Sequence, residues 1–170
     1  MIHSDLISFF KECNLYEEEL FNYLNKHTFH FDYGIEENRV FTGFFPGIDK
    51  DGVLKKFMVS VPFVVDEITM LINIHEYTHA IENYYRLGKK YKKDKFVEVL
   101  PMMFELLYIK KHPSKELEEY ENHLNSCITR NNEEYLLGAK MQEILADSFK
   151  YENIKQLKRK VRKLGKKIDK

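Results

Sequence analysis

Apolar residues in the first 26 positions recur at spacings of three and four, which is the period of an amphipathic helix. These positions are Leu6, Ile7, Phe9, Phe10, Leu15, Leu20, Phe21 and Leu24. The pattern predicts helix over residues 4–26, with Ser4 as the N-cap and a break near Asn14. This part of the chain is expected to act as scaffold.

The pattern then changes to short runs of aromatic and β-branched residues, which are typical of strands. The runs cover residues 29–33, 39–45 and 57–65. Turn signals separate them at Gly34, at Pro46-Gly47 and at Asp51-Gly52. We therefore predict three short strands in a small antiparallel sheet.

From Asp66 onward the pattern is helical. Asp66 can cap a helix over 67–87, and further helices are predicted over 94–111, 114–127 and 133–151. Pro101 should kink the second of these helices or move its start. The predicted fold is α+β and mostly helical, with a small antiparallel sheet packed on the helices. Residues 1–150 are expected to form a single domain, followed by a helix in 151–170.

Charge is distributed unevenly along the chain. The 170 residues carry 27 basic and 27 acidic side chains, but residues 151–170 hold nine Lys or Arg and two acids. Ile154, Leu157, Val161, Leu164 and Ile168 recur at helical spacing within this basic segment. We predict an amphipathic helix that packs on the acidic body, in the same chain or in a homodimer. A contact with nucleic acid is the less favoured alternative.

Two further features concern the compartment. No apolar run approaches the roughly 20 residues that span a bilayer, and no charged start leads into an apolar stretch, so neither membrane insertion nor export is expected. Two cysteines, Cys13 and Cys127, cannot build a disulfide framework. A cytoplasmic location is the expectation.

The segment with the clearest chemistry is His75-Glu76-Tyr77-Thr78-His79, an H-E-x-x-H pattern within a predicted helix. Positions i and i+4 lie on one helix face, so both imidazoles can bind one Zn²⁺. Glu76 lies about 100° further round the helix and would reach a metal-bound water instead of the metal. Glu76 is therefore the candidate general base.

A catalytic zinc site needs a third protein ligand and an open position for water. Position 85, where a metzincin has its third histidine, is Tyr85. Cys13 lies far from the motif and lacks the glycine-containing context of peptide deformylase. Glu98 and Glu105 are seven residues apart and share a face of the next helix, so spacing alone leaves both open as the third ligand.

Residues 95–105, with the sequence KFVEVLPMMFE, resemble the F-V-E-x-P-S-Q-x-x-E segment of the thimet oligopeptidase and oligoendopeptidase F family. One residue is inserted before Pro101, and Met102-Met103 replace the Ser-Gln pair. The resemblance implies a zincin-type helical core in which Glu98 is the zinc ligand. It also implies that Glu105 supports a ligand histidine by hydrogen bonding.

The resemblance covers roughly residues 57–149, which corresponds only to the catalytic core of the much longer family members. It implies that strand 57–65 flanks the cleft and can hold an extended peptide. It further implies a histidine and a tyrosine that stabilise the tetrahedral intermediate, for which His123 and Tyr135 are the nearest matches. Ordinary structural roles for His123 and Tyr135 remain the alternative.

The sequence thus predicts a zinc metallopeptidase that hydrolyses extended peptides or unfolded protein segments. A second reading is a small regulatory protease of the ImmA/IrrE type, which also carries H-E-x-x-H in a short chain. A third is a metal-containing binding module without activity. Glu76 argues against the third reading, because a purely structural zinc site needs no base.

Overall fold

The computed structural model describes residues 1–32, 42–92, 96–129, 133–146 and 153–168, with side chains described except at 124–129, 133–135, 144–146 and 168. Within these ranges the helices are α1 (Ser4–Glu12), α2 (Glu18–Lys26), α3 (Glu67–Tyr84), α4 (Val99–Lys111), α5 (Lys115–Thr129), α6 (Glu133–Ala146) and α7 (Ile154–Ile168). The strands are β1 (Thr28–Phe31), β2 (Gly43–Ile48) and β3 (Leu54–Pro62). The predicted α+β, mostly helical class is confirmed.

The described elements form two compact units, residues 1–93 and 94–170. The predicted boundary at 150 and 151 lies outside the described residues, so the division into a domain and a terminal helix stays a prediction. No helix in the described part of the chain is both long enough and apolar enough to cross a bilayer.

In the first unit, the predicted break near Asn14 is confirmed, because α1 ends before this residue and α2 begins after it. Asn14 separates them with a φ of 53°, a left-handed conformation that asparagine tolerates better than most residues. The predicted N-cap is wrong by one residue, because the ring of His3 accepts the hydrogen bond from the Asp5 backbone N–H. Ser4 is already helical, so its hydroxyl is not in the capping position.

The sheet is mixed, with strand order β1-β3-β2. β2 and β3 form an antiparallel hairpin, as predicted, but β1 pairs with β3 in parallel, with Thr28 opposite Val59. The all-antiparallel prediction is therefore wrong for one of the two pairings. The reason is that β3 lies between β1 and β2, so β1 does not pair with the strand that follows it in the chain. The predicted strand positions 33 and 39–41 lie outside the described residues.

Helix α3 packs on the sheet through its buried face. Asn73 donates its side-chain amide to the carbonyl of Pro62, at the end of β3, at 2.9 Å. Tyr77 donates its hydroxyl to Thr28 Oγ1 at 3.1 Å, and Thr28 donates in turn to the carbonyl of Leu24 at 2.7 Å. These bonds tie α3 to β3, to β1 and to the end of α2.

The segment that follows α3, residues 88–92, is joined to the hairpin of β2 and β3. Gly88 has a φ of 76°, which turns the chain after the helix. The backbone N–H groups of Gly88 and Tyr91 donate to the carbonyls of Leu54 and Gly52.

In the second unit, α4 is buried along most of its length, from Val99 to Ile109. Pro101 is the third residue of α4, where the backbone N–H has no partner within the helix, so the proline removes no hydrogen bond and needs no kink. Helix α7 buries Ile154, Leu157 and Val161 and exposes most of its basic residues, as its predicted amphipathic pattern requires.

Candidate metal site

The H-E-x-x-H segment lies in the middle of α3, which is firmly held at its start. Asp66 accepts the backbone N–H of Thr69 at 2.7 Å, and the Thr69 hydroxyl accepts the backbone N–H of Asp66 at 3.0 Å. This reciprocal pair is a capping box, and it confirms the predicted N-cap at Asp66. The motif begins nine residues after the cap and is therefore far from either fraying end.

The core-facing residue of the motif is Tyr77, which is fully buried. Burial raises the pKa of its hydroxyl well above the ordinary value of 10, so Tyr77 stays neutral and donates to Thr28. Thr78 is also buried and donates its hydroxyl to the carbonyl of Ile74 at 2.7 Å. The two residues between Glu76 and His79 therefore serve the packing of α3 and fix the rotation of the helix.

The two histidines converge on one point. His75 Nε2 and His79 Nε2 are 3.2 Å apart, and their ring planes are inclined at 75°. Two nitrogens bound to one tetrahedral zinc at 2.0–2.1 Å are about 3.3 Å apart. In this structure the two nitrogens share a hydrogen bond, and their spacing also matches a pair of zinc ligands, as the i and i+4 positions predict.

The environments of the two imidazoles differ. His79 is 7% exposed, whereas His75 and Glu76 are both half-buried. The carbonyl of His79 accepts the side-chain amide of Asn83 at 2.8 Å, in addition to its role in the helix. The histidine pair is therefore buried on the side of His79 and accessible to solvent on the side of His75 and Glu76.

Glu98 was predicted as the third ligand from the family resemblance. Glu98 lies in the second compact unit, and its role as the third ligand stays a prediction. Glu98 is the N-cap residue of α4, but its side chain makes no capping hydrogen bond to that helix. Two imidazole nitrogens and one carboxylate oxygen are a donor set that suits zinc.

The other predicted site residues are placed as follows. Glu105 is 3% exposed in α4, and Tyr120 of α5 donates its hydroxyl to Glu105 Oε2 at 3.4 Å. His123 is an exposed residue of α5, with its ring 6.5 Å from that of Tyr120. Tyr135 belongs to α6, but its side chain lies outside the described part. The roles assigned to Glu105, His123 and Tyr135 stay predictions.

The peptide-holding strand was predicted at residues 57–65, and the sheet topology corrects this. β3 is the central strand, with β1 pairing along 59–62 and β2 along 54–60. The backbone groups that a peptide would need are therefore largely taken up within the sheet. β2 is an edge strand among those described, and its Phe44 ring lies 6.4 Å from the ring of His79.

Sequence reasoning missed Phe44 and Asn83 as neighbours of the histidine pair. Asn83 carries a detectable signal, because it follows His79 by four residues and so lies on the same helix face. Phe44 has no such signal, since its position depends on the pairing of β2 with β3.

Comparison of the chain with models of known protein families, with curated proteins and with solved structures gives no match. The resemblance to the oligopeptidase family therefore stays a prediction from the sequence.

Proposed function

We propose that this chain is a zinc-dependent metallopeptidase that hydrolyses extended peptides. The observation that carries the proposal is the 3.2 Å separation of His75 Nε2 and His79 Nε2, which is the spacing of two ligands on one zinc ion. The presence of Glu76 next to His75 adds the acid–base group that a hydrolytic site requires and a structural site does not.

The proposed ligands are His75 and His79 of the H-E-x-x-H motif and, as the family resemblance implies, Glu98; together they would leave one coordination position open. A zinc ion held there would polarise a carbonyl group and would lower the pKa of a bound water towards about 7. Glu76 has the role of general base: its carboxylate takes the proton of the attacking water and then delivers it to the leaving amine. His75 and His79 must both be neutral to donate their nitrogen lone pairs.

The proposed substrate path follows the outer edge of β2. An edge strand can pair with an extended peptide through backbone hydrogen bonds, and Phe44 brings this strand close to His79. Pro46 lies in β2 and has no backbone N–H, so the edge offers fewer donors than its length suggests. Peptides that are N-methylated at single backbone positions test this path as competitors of an unmodified substrate peptide. Equal inhibition of hydrolysis by all of them would exclude backbone pairing.

Metal content and hydrolysis, measured together, test the proposed roles. Wild-type protein should hold one zinc per chain by elemental analysis. Glu98→Gln should lose most of the zinc, whereas Glu76→Gln should keep it and lose about 10²- to 10⁴-fold in peptide hydrolysis, the usual contribution of a general base. Glu116→Gln, at an exposed position of α5, is the matched control for the same chemical change.

Four results would contradict the proposal. Absence of stoichiometric zinc from the wild-type protein would remove the metal site. Loss of zinc in Glu76→Gln would make Glu76 a ligand, and full activity in that variant would remove it from catalysis. Efficient cleavage of one folded protein, without any cleavage of short peptides, would replace the general peptidase with a regulatory protease.

A further inference from the structure

Gly165 is an unexpected residue for its position in α7. It lies inside a helix whose neighbouring residues are Lys163, Leu164, Lys166 and Lys167, all good helix formers. A glycine in a helix interior destabilises the helix relative to alanine. A local reason for glycine is therefore required.

The reason is the close approach of Phe96. A Cβ atom built on Gly165 would lie 2.5 Å from Cζ and 2.6 Å from Cε2 of the Phe96 ring. Real Cβ atoms do not approach other heavy atoms this closely, so any side chain at position 165 requires the ring to move. The Phe96 ring thus packs directly against the backbone of α7 at Gly165.

α7 can act as a fixed support, because it is anchored elsewhere along its length. Ile154, Leu157 and Val161 are at most 4% exposed and lie on the same helix face as Gly165. The Phe96 ring is therefore held against a helix with its own buried apolar stripe.

Phe96 is only two residues before Glu98, the proposed third ligand. The turn between them is closed by a hydrogen bond from the Val99 N–H to the Phe96 carbonyl, with a donor–acceptor distance of 3.3 Å. Displacement of the ring must therefore be absorbed within a short, hydrogen-bonded turn that carries the ligand. Metal–ligand distances tolerate deviations of only about 0.2 Å.

The start of α4 is also held from α6. A Cβ atom on Gly138 would lie 3.2 Å from the Val99 carbonyl oxygen and 3.3 Å from Met102 Cβ. Glycine thus permits close approach of two different helices to the residues on either side of Glu98.

We propose that Gly165 is a positioning residue for the metal ligand Glu98, acting through the Phe96 ring. The basic helix α7 is then part of the support of the metal site. This inference rests on the proposed function, since it assumes that Glu98 binds zinc.

The test is a double-mutant cycle of Gly165 and Phe96. Zinc affinity is measured for each variant by competition with a chromophoric chelator. Gly165→Ala favours helix formation, so α7 itself should stay intact while the added methyl group displaces Phe96. We expect about tenfold weaker zinc binding, within the range found for residues that orient metal ligands. Phe96→Leu in the Gly165→Ala background should recover most of that loss, because the smaller side chain makes room for the methyl group.

Lys163→Ala, at an exposed position on the same helix, is the control and should bind zinc as the wild type does. Circular dichroism establishes that each variant is folded. Equal zinc affinity in Gly165→Ala and wild type would overturn the proposal, and so would a loss that Phe96→Leu does not recover. Failure of the wild-type protein to bind zinc would instead refute the proposed function, so the two failures are distinguishable.

Discussion

Replacing Thr28 with valine should destabilise the first unit more than replacing Tyr77 with phenylalanine, although both changes break the same hydrogen bond. In the wild type, Tyr77 donates to Thr28 Oγ1 at 3.1 Å, and Thr28 donates to the Leu24 carbonyl at 2.7 Å. Thr28→Val leaves the hydroxyl of the fully buried Tyr77 without an acceptor. Tyr77→Phe leaves Thr28 still bonded to Leu24.

The magnitudes follow from this difference. Tyr77→Phe should lower the free energy of unfolding by about 1 kcal/mol, the net worth of one hydrogen bond. Thr28→Val should cost up to about 3 kcal/mol, the penalty for a buried unsatisfied polar group. The Leu24 carbonyl does not add to this penalty, because it also accepts the backbone N–H of His27 at 3.0 Å.

Thermal unfolding followed by circular dichroism measures these effects. For a chain of this size, 1 kcal/mol shifts the midpoint by about 2–4 °C. The double variant should be less destabilised than the sum of the single variants, since it buries no unpaired hydroxyl. Thr42→Val, at an exposed position, is the control. Additive effects, or a Thr28→Val midpoint equal to that of the control, would refute the reasoning.

Two further predictions concern stability. Asp66→Ala removes the side chain that caps α3 and should lower the free energy of unfolding by about 1 kcal/mol in urea titrations, whereas Asp51→Ala at an exposed turn should not. Burial, followed by the positive N-terminal amine, lowers the pKa of His30 below 6.5. As the pH falls below 6.5, the unfolded chain therefore takes up a proton that the folded protein resists, and stability should fall. His30→Gln should weaken this pH dependence, and an unchanged profile would exclude His30 as its source.

The sequence was sufficient where structure depends on neighbouring residues. The start of α3 follows from Asp66 and the continuous apolar run after it, and the pairing of His75 with His79 follows from helix geometry. The hairpin of β2 and β3 follows from the turn at Asp51-Gly52, which is also local.

The sequence was insufficient where structure depends on distant partners. No local pattern indicates that β1 pairs in parallel with β3, because this pairing joins residues 31 positions apart in the chain. Spacing alone left Glu98 and Glu105 equivalent, and only the family resemblance separated them. Gly165 did carry a signal, as a glycine among strong helix formers, but its partner Phe96 lies some 70 positions away in the chain.

The mixed sheet also has a consequence for how the chain folds. The antiparallel pairing of Ile48 with Leu54 closes a short loop, whereas the parallel pairing of Thr28 with Val59 joins residues 31 positions apart. Loop-closure entropy therefore favours formation of the hairpin first and addition of β1 later. Until β1 adds, one edge of the apolar strand β3 is open to pairing with another chain. Substitutions that delay the addition of β1, such as those at Thr28, should therefore increase aggregation during refolding. The increase should be larger than the loss of folded-state stability alone would predict.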